Sequence, residues 1–305
     1  PWRMLRARQY ARRQLRAMRP HMVLGMGSFA AVPTCLAAAA ERIPLFLHEG
    51  NAVVGKANRF LCWRARGLAT SLPLADGQRC RCPHVHTGMP LRDAIVQEAE
   101  KGPAPAEIYE RYDLAPDQPV VLVFGGSQGA SALNDLVPLA AEVAARDDNR
   151  FQVVHLTGRA DNRRLETIYG RAGIPACVRT YESHIERLYR MADLVICRAG
   201  ASTIAELALF GKPSILMPFP HAANDHQTAN ARMLEARTAA LHVPQAQASP
   251  ERIGELLRDW LADTNGRFAR YGENIRALAA PRADEAVVEM IGRTLSGRPP
   301  ASLET

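Results

Sequence analysis

Short apolar runs separated by helical stretches constrain this chain more than any other feature. Met22–Leu24, Pro44–Leu47, Val120–Phe124, Gln152–Leu156, Asp193–Ile196 and Ser214–Met217 carry bulk on both alternating faces. A strand apolar on both faces is buried between two layers, and intervening helices supply those layers over a parallel sheet. The expected class is therefore α/β, and 305 residues are enough for two such domains. Around Lys101–Glu107 the composition turns to Lys-Gly-Pro-Ala-Pro-Ala-Glu, and a second strand–helix series begins at Val120. A linker there predicts two doubly wound domains with a cleft between them. The tail after Pro299 is expected to be disordered.

The hydrophobic share of 47% and charged share of 23% are those of an ordinary globular chain. No apolar run approaches the ~18 residues of a membrane span, and no signal peptide is legible. The first residues, from Pro1, already read as the middle of a helix, so a missing start is expected. The net charge of +7 is concentrated: Arg3, Arg6, Arg8, Arg12, Arg13, Arg16 and Arg19 fall in the first 40 residues, which contain no acid. Met4, Ala7, Ala11, Leu15 and Met18 recur at spacings of three and four, predicting an amphipathic helix with a basic face and with Trp2 and Leu5 off the apolar stripe. A solvated helix accounts for this slightly better than an anionic lipid surface. Nucleic acid is disfavoured by sparse aromatics and the absence of a legible binding module.

The six cysteines show no disulfide framework, which fits a reducing compartment. Cys80, Cys82, His84 and His86 alternate, but an extended chain spreads them over ~20 Å at ~3.3 Å per residue, too far for one ion. No metal site is expected there.

Three glycine-bearing turns follow strands: Leu24-Gly25-Met26-Gly27-Ser28-Phe29, Phe124-Gly125-Gly126-Ser127-Gln128-Gly129, and Cys197-Arg198-Ala199-Gly200-Ala201-Ser202-Thr203-Ile204-Ala205-Glu206. Ligands of open α/β sheets bind beyond the carboxyl ends of strands. None of the three has a dinucleotide fingerprint or the Gly-Lys-Ser/Thr of a P-loop. The last opens a helix, whose free first-turn N–H groups and positive dipole end favour an anion. Glu206, a turn or more inside, suits sugar hydroxyls better than phosphate, so the pair suggests a nucleotide. His48-Glu49-Gly50-Asn51 also follows a strand; a structural role is the commoner one for such residues, but both side chains stay open as proton acceptors. Arg92, after Gly88-Met89-Pro90-Leu91, offers a cation or a surface ion pair. In Asn224-Asp225-His226-Gln227 amides dominate, which fits uracil or sugar recognition better than metal.

With Asn134 and Asn230, these segments resemble the MurG family, within glycosyltransferase family 28, from about residue 1 to 295. The resemblance implies a GT-B fold of two Rossmann-like domains: residues 1–100, rejoined by a C-terminal helix at 282–296, and a UDP-sugar domain at 108–281. It implies inverting transfer of N-acetylglucosamine from UDP-N-acetylglucosamine to lipid I, giving lipid II for peptidoglycan synthesis, with no cofactor and no metal. It makes Ser127 and Arg92 ligands of the donor diphosphate, with Ala201, Ser202 and Thr203 donating to it, and counts Gly126, Gln128, Asn134, Ile204 and Ala205 among the substrate-binding residues. Glu206 would hold the ribose, the main chain of Glu182 the uracil, and Gln227 and Asn51 the sugar. Gly25, Gly27 and Ser28 would belong to the acceptor loop, and Glu49 or His48 would serve as base. The family acts at the cytoplasmic face of the cell membrane as a peripheral protein, which moves the reading of the basic helix toward lipid; other cell-wall synthesis proteins are further implied partners.

The chain departs from the family pattern at several points. The first glycine-rich loop, with its His, would lie before Pro1. Ser28 and Phe29 stand where the family usually has Gly and Tyr, Gly50 where it has Gln, and Met89 where it has Asn. Two alternatives stay open: another GT-B UDP-sugar enzyme, such as a diacylglycerol glycosyltransferase or an epimerase, and a non-catalytic UDP-sugar-binding fragment.

Overall fold

The computed structural model describes residues 2–75, 77–78, 80–126, 131–146, 150–158 and 161–298. Ser127, Gln128 and the tail after Pro299 lie outside the described residues. The backbone divides into two compact units, one of Pro1–Leu91, Ala223–Asn230 and Ala280–Thr305, the other of Arg92–Ala222 and Ala231–Ala279.

The first unit opens with α1 (Trp2–Met18), β1 (Val23–Gly25), α2 (Val32–Ala40), β2 (Leu45–Glu49), α3 (Lys56–Leu61), β3 (Gly67–Thr70) and β4 (His84–His86). Its sheet is parallel in the order β1-β2-β3-β4, with Val23 opposite Leu45 and Phe46 opposite Gly67. Gly25 is a packing glycine, because a Cβ there would stand 2.7 Å from Cys35 Sγ and 3.1 Å from Leu47 Cδ2. Of the expected α1 stripe only Ala11 and Leu15 are buried; Met4 and Met18 overhang the ends of the contact and are exposed.

The second unit continues with α4 (Asp93–Ala99), α5 (Ala106–Glu110), β5 (Val120–Phe124), α6 (Ser131–Ala145), β6 (Gln152–Leu156), α7 (Asn162–Arg171), β7 (Ala176–Arg179), α8 (Ile185–Met191), β8 (Leu194–Cys197), α9 (Ala201–Phe210) and β9 (Ser214–Leu216). After these come α10 (His226–Ala236), whose residues up to Asn230 belong to the first unit, β10 (Leu241–His242), α11 (Pro250–Ala262) and α12 (Arg267–Arg276). The sheet is parallel, in the order β10-β9-β8-β5-β6-β7. Chain direction through the sheet reverses between β5 and β8, the doubly wound switch point beyond which ligands bind. The last helix, α13 (Ala283–Leu295), returns to the first unit, where Val287 and Met290 cover Phe46 and Ala69.

All six apolar runs read from the sequence are strands. The unit boundary falls at Leu91/Arg92, ahead of the Lys101–Glu107 segment expected as the linker. Arg190 of α8 explains the difference: it donates to Glu98 Oε1 at 2.5 Å, to Gly102 O at 3.0 Å and to Pro103 O at 2.7 Å. Those bonds fasten α4 and the Gly-Pro segment to the second unit.

Candidate functional site

A cavity of about 600 Å³ opens at the carboxyl ends of the second unit's strands. Phe124 and Gly126 line it beyond β5, Leu156 and Gly158 beyond β6, and Thr180, Tyr181 and Glu182 beyond β7. Ile185 of α8, Arg92, and Ser202, Thr203 and Glu206 of α9 complete the wall. The volume suits a nucleotide-sized ligand.

The mouth of α9 explains the anion preference. Gly200 is its N-cap, extended at φ −72° and ψ 143°, and has no side chain to occupy the first-turn donors. Those N–H groups and the dipole stay available to a ligand, with the Ser202 and Thr203 hydroxyls beside them. Ile204 is fully buried, and its N–H donates to Gly200 O at 2.9 Å. Ala201 and Ala205 are half-buried and do not line the cavity.

Glu206 is the wall's carboxylate. Tyr189 OH donates to its Oε2 at 2.8 Å, and the Tyr189 ring is itself held between Phe124 and Phe210, with centroids at 6.0 and 5.3 Å. Burial pushes the Glu206 carboxyl above the usual carboxylate range, while the Tyr189 hydrogen bond and the Arg92 charge pull the other way. Tyr189 and the exposed Tyr181 were not read from the sequence; an aromatic next to a strand end carries no signal distinguishing a wall from a core.

Glu182 lines the same cavity, but its carboxylate is spent. It accepts from Tyr112 OH at 3.1 Å, Arg179 Nη1 at 3.0 Å, His184 N at 3.0 Å and Ser183 Oγ at 3.4 Å. What Glu182 can offer a ligand is its main chain. Asn134 is buried, its Nδ2 donates to Thr157 O at 3.0 Å, and its Oδ1 pairs with His155 Nε2 at 3.0 Å, so it fixes the turn after β6.

In the first unit the two residues considered as base are both held by internal hydrogen bonds. Glu49 Oε1 accepts from Asn51 N at 3.2 Å and Asn51 Nδ2 at 3.1 Å, and its Oε2 accepts from Gly55 N and Asn58 Nδ2, both at 2.9 Å. A carboxylate has about four acceptor positions, and all are filled. His48 is buried, pairs with Ser71 Oγ at 3.0 Å, and is pushed by burial below the usual imidazole range. Asn51 spends its amide on Glu49 and on Asn230, whose Nδ2 donates to Asn51 Oδ1 at 3.1 Å. Gln227 sits half-buried in the first turn of α10. Gly27 has φ +81°, and Ser28 adopts φ 71°, with its Oγ accepting from Ala30 N at 3.2 Å.

The chain matches the glycosyltransferase family 28 C-terminal domain over residues 120–285 and the family's N-terminal domain over residues 1–70. It is 40% identical over 298 residues to the UDP-N-acetylglucosamine--N-acetylmuramyl-(pentapeptide) pyrophosphoryl-undecaprenol N-acetylglucosamine transferase of Halorhodospira halophila, covering 97% of this chain and 79% of that protein. The likewise named Rhodospirillum rubrum protein is 37% identical over 290 residues, covering 94% and 72% of the two chains. The crystal structure of Acinetobacter baumannii MurG superposes with a TM-score of 0.78 at 28% identity, covering 96% of this chain and 79% of that one. The domain matches and the relatives agree on one placement: this chain belongs to glycosyltransferase family 28, on its MurG branch.

Proposed function

We propose that the chain transfers N-acetylglucosamine from UDP-N-acetylglucosamine to the C4 hydroxyl of the N-acetylmuramoyl unit of lipid I, giving lipid II with inversion at the anomeric carbon. The observation that carries this reading is the second unit's cavity, where an uncapped helix mouth and a half-buried carboxylate share one wall. Diphosphate at the α9 mouth places the ribose along the helix at Glu206 and the base toward the Glu182 main chain. The departing UDP gains negative charge as the sugar leaves. Preorganised N–H groups, the Ser202 and Thr203 hydroxyls and Arg92 stabilise that charge at no reorganisation cost. Gly126 extends the same cradle from β5. Gly25, Gly27, Ser28, Asn51 and Gln227 belong to the acceptor and sugar side. The outer face of α1 is proposed as the contact with an anionic membrane on its cytoplasmic side.

The test is Glu206→Gln. An ionised carboxylate accepts both ribose hydroxyls, and a hydrogen bond to a charged group is worth about 1.5–3 kcal/mol, so UDP affinity falls roughly 10–100-fold by calorimetry. In the unaltered chain, affinity weakens as pH drops through the raised Glu206 pKa, because protonation removes an acceptor; in the variant that step is absent. The folded state favours protonated Glu206, so the residue's stability contribution diminishes as pH rises, and the variant melts higher at neutral pH. Unchanged UDP affinity in the variant would remove Glu206 from the donor site. Turnover of lipid I with UDP-N-acetylglucosamine, against none with diacylglycerol, checks the acceptor.

A further inference from the structure

Three of the cysteines meet in the first unit, outside anything used above. Cys62 begins the short turn after α3, and Cys80 and Cys82 lie on the connection from β3 to β4. Cys62 Sγ is 2.7 Å from Cys80 Sγ, Cys80 Sγ is 3.3 Å from Cys82 Sγ, and all three sulfurs lie within 4.8 Å of one another. Each is a free thiol. Cys62 and Cys82 are buried, Cys80 half-buried, and Ala65 and Leu74 pack around them. The alternating set read from the sequence is not the one that forms. His84 is exposed and His86 Nε2 stands 3.1 Å from Ser71 O, while Cys62, 18 residues before Cys80, supplies the third sulfur.

The setting asks for a tie. Parallel strands such as β3 and β4 are usually joined by a helix, yet the described residues between Thr70 and His84 contain none. Three neutral thiols bond only weakly to one another and hold little together. Three converging sulfurs in an apolar shell match the preference of soft d10 cations for thiolate.

We propose that Cys62, Cys80 and Cys82 bind one thiophilic d10 cation, Zn²⁺ or Cu⁺, as three thiolates, with a further position open on the half-buried Cys80 side. Each thiol releases one proton to solvent on binding, and no electron is transferred. The bound cation staples the β3–β4 connection to the end of α3, beside the exposed Trp63.

The whole chain is reduced, stripped with a chelator and titrated with Co²⁺, Zn²⁺ and Cu⁺ in separate arms. The expected result is one Co²⁺ per chain with a sulfur-to-cobalt charge-transfer band, bleached by Zn²⁺ or Cu⁺. The tighter of those two, measured by competition, identifies the cation. Cys62→Ser and Cys80→Ala lose affinity by more than the roughly 10–100-fold that outer-shell partners alone are worth, whereas Cys177→Ser keeps it. Cys80 is half-buried, so its variant carries the test where Cys62→Ser fails to fold. Absence of the band, a band retained in Cys80→Ala, or a Cys62–Cys80 disulfide mapped in alkylation-trapped protein would each overturn the proposal.

Discussion

Among the glutamates, role is decided by how many acceptor positions are already filled. Glu49 and Glu182 each satisfy four donors, so their carboxylates organise loops. Glu206 has the single hydroxyl of Tyr189 on one oxygen and a cavity in front of it. Nothing in the motif letters says which of the three carboxylates is satisfied by its own loop. Asn134 and His48 are likewise held by internal hydrogen bonds that the motif letters do not announce. Ser28 carries a different lesson. At φ 71° and ψ 149° it occupies a region that is nearly glycine-only, and its hydroxyl offers only an exposed cap to Ala30 N. Such a conformation costs about 1–3 kcal/mol, against roughly 0.5–1 kcal/mol for the extra freedom of glycine in the unfolded chain. Ser28→Gly should therefore raise unfolding stability by about 1 kcal/mol in denaturant titration; an equal or lower midpoint would show the strain is absent.

Elements were legible in proportion to their neighbours. β2, β5, β6, β8 and β9, with a strand on each side, read as apolar runs, as does the edge strand β1, whereas the edge strands β4, β7 and β10 are half-exposed, short and mixed in composition. β3, Gly-Leu-Ala-Thr, is interior but too small in its side chains to stand out. The helix α1 shows the same logic in reverse. It buries little beyond Ala11 and Leu15, and Arg12 and Arg16 both clamp Glu41, whose carboxyl they hold down at about 2. Those two arginines are spent on folding. Arg3, Arg6 and Arg13, with Trp2 and Tyr10, remain exposed on the face away from Ala11 and Leu15. If that face is the membrane contact, each arginine near an anionic surface adds about 1 kcal/mol, roughly fivefold in partitioning. The pair Arg6→Ala and Arg13→Ala should then lower binding to phosphatidylglycerol vesicles about thirtyfold in flotation, and added salt should mimic the loss. Equal flotation of the variant would assign α1 to solvent.

At the scale of the molecule, each unit buries its own core. Val121, Leu133, Val153, Leu194, Ile253 and Phe268 belong to the second unit, and Leu45, Leu47, Leu61 and Leu68 to the first. Every residue lining the large cavity comes from the second unit. Apolar runs made that sheet legible, but the switch point between β5 and β8 depends on strand order, which no local pattern encodes. Separate cores and a one-sided site have a thermodynamic consequence. A ligand stabilises only the cooperative unit that must open to release it, by about 2.7 kcal/mol at a hundred times its dissociation constant. Saturating UDP should therefore slow amide exchange up to about a hundredfold in β5, β8 and α9. Exchange in β2, β3 and α13 should stay at its unliganded rate. Uniform protection across both sets would mean that the two cores open as one unit.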